Sequence, residues 1–287
     1  MKIKFYGTRG SIPVTGKNFC KYGGNTPCIG IFTEGINIII DAGTGIREAG
    51  IDLIKANNRN TYIYFSHFHT DHIAGLPFFA PFYNSNFEIK IFGLPYVYSN
   101  IEDIIDIVLK PPLFSITRES FKSKLEFVNI NSLNSYEFNN VKIDLIQLKH
   151  PIPTLGYKIT ANGQTIIYFT DNELLNSEQK EDKLEEQILV MNKNLIEFCE
   201  GADILIHDTS YLTDDYNKRI GWGHSTNKAA AMFAHLAKVK KLFLFHYAPE
   251  YTDEMIDKMC EETRNYIKYS GSNLICEASF DGLEIEI

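Results

Sequence analysis

Five apolar runs in this chain each end on a histidine or an aspartate: YIYFSHFH at His67 and His69, IDLIQLKH at His150, TIIYFTD at Asp171, DILIHD at His207 and Asp208, and KLFLFH at His246. The first run continues into His67-Phe68-His69-Thr70-Asp71-His72, an H-x-H-x-D-H motif. Together with the loop Gly221-Trp222-Gly223-His224-Ser225-Thr226, these run ends account for seven of the eight histidines. A histidine that only packs in a core can fall anywhere, whereas ligands cluster where strands end. The chain must therefore fold so that several strand ends meet, and the simplest reason is a metal centre at one edge of a β-rich core.

Composition narrows what such a centre can be. The chain has 287 residues, 44% of them hydrophobic, enough for a sizeable core. The candidate ligands run from Asp41 to His246 with no Pro/Gly/Ser-rich linker between them, so residues 1–287 are expected to form a single domain. The five cysteines are odd in number and form no C-x-x-C pair, which fits a reduced compartment and removes thiolate zinc sites. The N-terminal MKIKFYGTRGS lacks a secretory core and no apolar stretch reaches spanning length, so a cytoplasmic protein with no membrane partner is expected. The net charge is −8 with no basic run. Bulk nucleic-acid binders usually carry a basic face, whereas a small anionic substrate remains open because metal ions can supply positive charge locally.

β-type runs near 3–7, 29–33, 36–41, 62–66, 88–92, 141–148, 155–160, 164–170, 203–207, 242–246, 273–277 and 283–287 are rich in Ile, Phe, Val and Tyr. Helical patterns lie near 72–80, 100–109, 180–200, 225–238 and 253–268, with Ser225 expected to cap the fourth. Strands and helices alternate in both halves, which predicts sheets covered by helices, an α/β layered architecture.

On an extended backbone His67 and His69 face the same side and can grip one ion. Asp71 and His72 follow as the chain turns into a helix and can reach a second. Imidazole and carboxylate donors suit zinc first, with manganese or iron as competitors. Singly, His150 before Pro151, Asp171 in FTDNE and His246 in FHYAP each have a plain alternative as a strand-end, turn or core residue. Asp41 could simply bond backbone amides.

These motifs resemble, in order and over nearly the full length, the metallo-β-lactamase fold of binuclear metallohydrolases. The resemblance implies an αββα sandwich holding two divalent metal ions. By that likeness His67, His69 and His150 hold one ion, Asp71, His72 and His246 hold the other, and Asp171 bridges them. Asp41, in IIIDAGTG, orients the histidine loop. Asp171 rather than cysteine at the fourth motif, and His69 rather than glutamate in the second, favour hydrolysis of esters over β-lactam or redox chemistry. The pair His207-Asp208-Thr209-Ser210-Tyr211 and Gly223-His224-Ser225-Thr226 resembles the ribonuclease Z-like phosphodiesterase branch. It implies that Asp208 orients a catalytic His224, where that branch often carries a glutamate in place of the aspartate. His207 reads as a supporting or core residue. Asn25 and Thr26, in a glycine-rich turn, could touch substrate or only shape the turn. Tyr211 and Trp222 could stack a base.

The expected activity is hydrolysis of a small phosphodiester, first a cyclic nucleotide. A tRNA 3′-processing endonuclease comes second, because the stretch 94–137 is short and not strongly basic, unlike that branch's long arm. Other esters, and a metal-bound sensor or binding module without turnover, complete the alternatives. A homodimer is expected from the same branch.

Overall fold

A computed structural model describes residues 1–33, 35–56, 59–96 and 100–287. The chain divides into two compact units, the first made of Met1–Thr15, Tyr22–Ser132 and Phe280–Ile287, the second of Gly16–Lys21 and Leu133–Ser279.

The first unit is built on β1 Lys2–Gly7, β2 Cys28–Thr33, β3 Ile36–Ile40, β4 Asn60–Tyr64, β5 Glu88–Gly93, β6 Lys124–Asn129 and the returning β14 Glu284–Glu286. They form one seven-stranded sheet in the order β14-β1-β2-β3-β4-β5-β6. Pairing is antiparallel from β14 to β3 and parallel from β3 to β6. A parallel pair needs a crossover, and α1 Ile46–Ala56, α2 Thr70–Ile73 and α3 Ile101–Leu109 provide them. Ile46, Ala49 and Leu53 of α1 pack into a core with Ile39, Ile63, Phe65, Phe79 and Phe82.

The second unit repeats the design. Its sheet runs β7 Tyr136–Phe138, β8 Val141–Leu148, β9 Thr154–Ala161, β10 Gln164–Phe169, β11 Ile204–Asp208, β12 Lys241–Phe245 and β13 Ile275–Ala278, in chain order. Pairing is antiparallel up to β10 and parallel from β10 to β13. The crossovers carry α4 Leu184–Cys199, α5 Thr213–Tyr216, α6 Asn227–Leu236 and α7 Asp253–Tyr269. In both sheets the parallel half leaves the carboxyl ends of adjacent strands side by side, the place where α/β sheets gather functional groups.

All twelve expected strands form, but β6, β7, α1 and α5 were not among the expected elements. Gly50 inside α1 reads as a breaker, yet a Cβ there would lie 2.9 Å from Pro81 Cδ, so the glycine allows the helix to pack closely on residues 79–81. The helix expected over 72–80 is instead the single turn of α2 followed by two 3₁₀ turns, Leu76–Phe78 and Ala80–Tyr83, with Pro77 and Pro81 near their starts. The cap of α6 is Thr226, whose Oγ1 accepts from Ala229 N at 3.0 Å, not Ser225. The stretch 94–137 contains the β5–α3–β6 crossover and its Arg118 is paired with Glu102 and Asp106. Residues 97–99 of it lie outside the described residues.

Candidate functional site

In the first unit, four of the predicted ligands sit on the segment after β4. The rings of His67 and His69 are 4.6 Å apart between centroids, and those of His67 and His72 4.2 Å. Asp71 Oδ2 lies 3.4 Å from His72 Nε2 and accepts Ser11 N at 2.7 Å, so the N-terminal Gly10-Ser11 turn steadies this carboxylate. Asp41, just past β3, is fully buried. Its carboxylate accepts Ser66 N at 2.7 Å, Ser66 Oγ at 2.9 Å and His72 Nδ1 at 2.9 Å. Ser66 Oγ in turn lies 3.1 Å from His67 Nδ1.

In the second unit, His150 follows β8, Asp171 follows β10 and His246 follows β12. The two oxygens of Asp171 face different histidines: Oδ1 is 3.8 Å from His150 Nε2 and Oδ2 is 3.2 Å from His246 Nε2. His150 Nδ1 donates to Gly223 O at 3.1 Å, and His246 Nδ1 lies 3.1 Å from Ser210 Oγ. Thus His67, His72, His150 and His246 all have Nδ1 engaged by a neighbour. That arrangement fixes the ring and would present Nε2 to a metal ion. Imidazole and carboxylate donors of this kind suit two divalent ions. Asp41, Asp171 and His246 have left-handed φ of +63°, +49° and +63°. Non-glycine residues held there cost free energy.

Beside the second cluster, His224 Nδ1 donates to Asp208 Oδ2 at 2.6 Å. The other oxygen of Asp208 accepts Ser210 N at 2.9 Å and Ser225 N at 3.4 Å. Burial alone would raise the Asp208 carboxyl, but the adjacent His224 imidazole together with His246 outweighs it and holds the group below its ordinary range. His207 is buried, its Nδ1 donating to Asp208 O at 2.7 Å and its Nε2 lying 3.1 Å from Asn172 Nδ2. Burial lowers its pKa, so it stays neutral and supports the strand ends. The eighth histidine, His235, lies on α6, where its Nδ1 is 2.8 Å from Ser272 Oγ.

The remaining candidates divide. Thr26 is fully buried, and its Oγ1 accepts Thr44 N at 2.8 Å while its own N donates to Thr44 Oγ1 at 2.9 Å, which makes it a brace. Asn25 Oδ1 accepts Thr44 Oγ1. Tyr211 is buried, edge-on to His224 at 5.8 Å, with Arg219 over its ring. Trp222 is 59% exposed on the His224 loop.

Several contacts escape sequence reading. Ser225 Oγ donates to Asn172 O and accepts Leu174 N. Glu173, two residues after Asp171, accepts the amides of Gly221 and Gly223. The only hints in the sequence are an acid close behind a ligand and two glycines flanking a tryptophan; neither says which carboxylate meets which amide.

Residues 36–247 match the family described as Beta-lactamase superfamily domain. A protein named Ribonuclease Z from Picrophilus torridus is 25% identical over 88% of this chain and 87% of its own length. Another of that name, from Thermococcus gammatolerans, is 26% identical over 99% and 94%. Among solved structures, the metallo-β-lactamase fold protein YhfI from Bacillus subtilis superposes with a TM-score of 0.70 at 17% identity, covering 100% of this chain and 99% of that one. A diphosphatase from the PhnP family gives 0.66 at 17% identity, with 100% and 97% covered. The short form of human tRNase Z gives 0.62 at 19%, with 100% and 99% covered. The fold is thus the α/β fold of the metallo-β-lactamase type.

Proposed function

We infer the function from one premise: the chain belongs to the beta-lactamase superfamily domain family. It is a metal-dependent hydrolase, and the bond we propose it cleaves is a phosphodiester. The ligand set is divided between the two units, so the proposal treats residues 1–287 as one functional domain. His67, His69 and His150 are assigned to one ion, Asp71, His72 and His246 to the other, and Asp171 to both. Zinc is the first candidate, ahead of manganese and iron. Metal ions there would supply a hydroxide near neutral pH and positive charge for the phosphoryl oxygens.

The observation that carries the phosphodiesterase reading is the 2.6 Å bond between His224 and Asp208. Asp208 fixes Nδ1 of the ring, so proton transfer runs through Nε2. Protonated His224 gives its Nε2 proton to the departing alkoxide, and Asp208 stabilises the imidazolium beforehand. An alkoxide leaves poorly without that proton, and a positioned acid of this kind contributes about 10²–10⁴-fold. Trp222, exposed on the same loop, is proposed to stack a base of the substrate, with Tyr211 packed against the His224 ring behind it.

The net charge and the short, weakly basic stretch 94–137 put a cyclic nucleotide first. The relatives named Ribonuclease Z, spanning most of this chain, reverse that order and support tRNA 3′ processing. A small phosphodiester stays as the second reading because of the net charge of −8 and because the described part of 94–137 includes a sheet crossover. No helix among the described residues is long and apolar enough to cross a membrane. A cytoplasmic homodimer completes the proposal, and sedimentation as a monomer at micromolar concentration would count against the dimer.

Hydrolysis of a panel containing a 3′-extended tRNA precursor and 2′,3′- and 3′,5′-cyclic nucleotides by zinc- or manganese-loaded protein decides between the substrates. Cleavage of the precursor alone supports RNA processing. Opening of a cyclic nucleotide with an inert precursor restores the small substrate. No turnover on any diester would turn the reading to a metal-bound sensor or binding module.

A further inference from the structure

We propose that Glu173 is a positioning residue for the His224 acid: its carboxylate clamps the Gly221–Gly223 turn and so fixes where His224 stands relative to Asp171. The proposal rests on His224 acting as the acid.

Glu173 is only 8% exposed. Its Oε1 accepts Gly221 N at 2.7 Å and the Tyr216 hydroxyl at 3.0 Å, and its Oε2 accepts Gly223 N at 2.9 Å. All three donors belong to the segment 216–223, which leads directly into His224. A buried carboxylate is costly unless donors surround it, and charge-assisted bonds to amides are the stronger kind. Gly221 and Gly223 have φ of +87° and +88°, a backbone that side chains other than glycine resist. That path brings both amides onto one carboxylate while Trp222, between them, points to solvent.

The clamp is anchored at its other end. Glu173 N donates to Lys149 O at 2.8 Å, the residue before His150. Gly223 O accepts His150 Nδ1, and a Cβ on Gly223 would fall 2.1 Å from that nitrogen. The turn therefore rests against His150 with no room to spare on that side, and Glu173 holds it there. Without the carboxylate, His224 would keep its partner Asp208 but lose the stop that places the turn. Glutamine cannot substitute, because its NH₂ group would face an amide donor.

The test uses the full-length, metal-loaded protein carrying Glu173→Gln. Trp222 is the chain's single tryptophan, so its fluorescence anisotropy and acrylamide quenching report on the turn directly. The expected result is retained metal content and melting transition, lower Trp222 anisotropy, and stronger quenching. Turnover of an alkyl phosphodiester should fall about tenfold or more, a part of the general-acid contribution, with less than about threefold loss on a nitrophenyl diester that needs no acid. Tyr216→Phe, which removes one of the three bonds, should shift both readouts the same way by less. It carries the test if Glu173→Gln does not fold. Equal losses on both substrates, or unchanged Trp222 anisotropy, would overturn the proposal. His224→Ala is the control: if it too shows no leaving-group dependence, the acid reading fails, and Trp222 still decides whether Glu173 holds the turn.

Discussion

The two units present their candidate ligands in opposite ways. In the first, four candidate ligands sit within six consecutive residues, His67 to His72, after one strand, and a single buried aspartate with Ser66 orients two of them, His67 and His72. In the second, three ligands come from the ends of three strands, each with its own partner, and a separate acid pair stands among them. The first cluster is set by local chain geometry and the second by sheet assembly. The lesson is that the first should tolerate loss of a supporting group better than the second tolerates loss of its shared carboxylate.

Asp171→Ala should produce the largest effect. It removes a carboxylate whose two oxygens face two different histidines, so metal and activity should fall together by orders of magnitude, read by elemental analysis and turnover. Retention of full metal content would show that the strand-end cluster does not depend on it. His224→Ala comes next: metals stay, while turnover on poor leaving groups drops by about 10²–10⁴, and less on nitrophenyl diesters. Equal loss on both substrates would merge the acid pair with the ligand cluster. Asp41→Ala should weaken metal binding about 10–100-fold. Ser210→Ala, the hydroxyl partner of His246, should weaken it less, because a neutral acceptor orients an imidazole more weakly than a carboxylate. A competition titration with a chelator ranks the two, and the reverse order would undo the contrast between units.

The smallest effect concerns pH. Asp281, in the first unit, is pushed from 3.8 up to about 6, by burial above all, against the amides of Gly24 and Asn25 that it accepts. The folded state holds its proton more tightly, so this contribution is present below pH 4 and is lost as pH rises to about 6. His207, in the second unit, is lowered by burial. Its folded form resists protonation, so its contribution is present above the unfolded value of about 6.5 and is lost as pH falls below that. The two residues should therefore contribute opposite slopes with pH in the acid range. Asp281→Asn should remove its contribution to the pH dependence of urea unfolding between about pH 4 and 6; no change on substitution would place the titration elsewhere.

The same contrast explains what could be read from sequence. H-x-H-x-D-H is contiguous, so periodicity and chemistry coincide in one stretch. His150, Asp171 and His246 were legible because each ends a strongly apolar strand, and Asp208 with His224 only through family likeness. α1 was hidden by Gly50, and the turn after His72 was misread because Pro77 and Pro81 break a helical pattern that the apolar residues continue. β6, KLEFVN, alternates charge with apolar residues over too few positions to stand out. Ser225 and Thr226 are equally good caps by type, and only the fold decides that Ser225 serves Asn172 and Leu174 instead. Glu173 was invisible, since its meaning lies in amides some fifty residues away.

The left-handed backbone at Asp41, Asp171 and His246 has a consequence for selection. Each such position costs on the order of 1–3 kcal/mol, and glycine would relieve the strain while removing the candidate ligand or its support. Stability and function therefore pull apart at three points of the chain. A library of variants chosen for heat resistance alone, with no demand for activity, should drift first toward glycine at these positions and emerge tougher, correctly folded and inert.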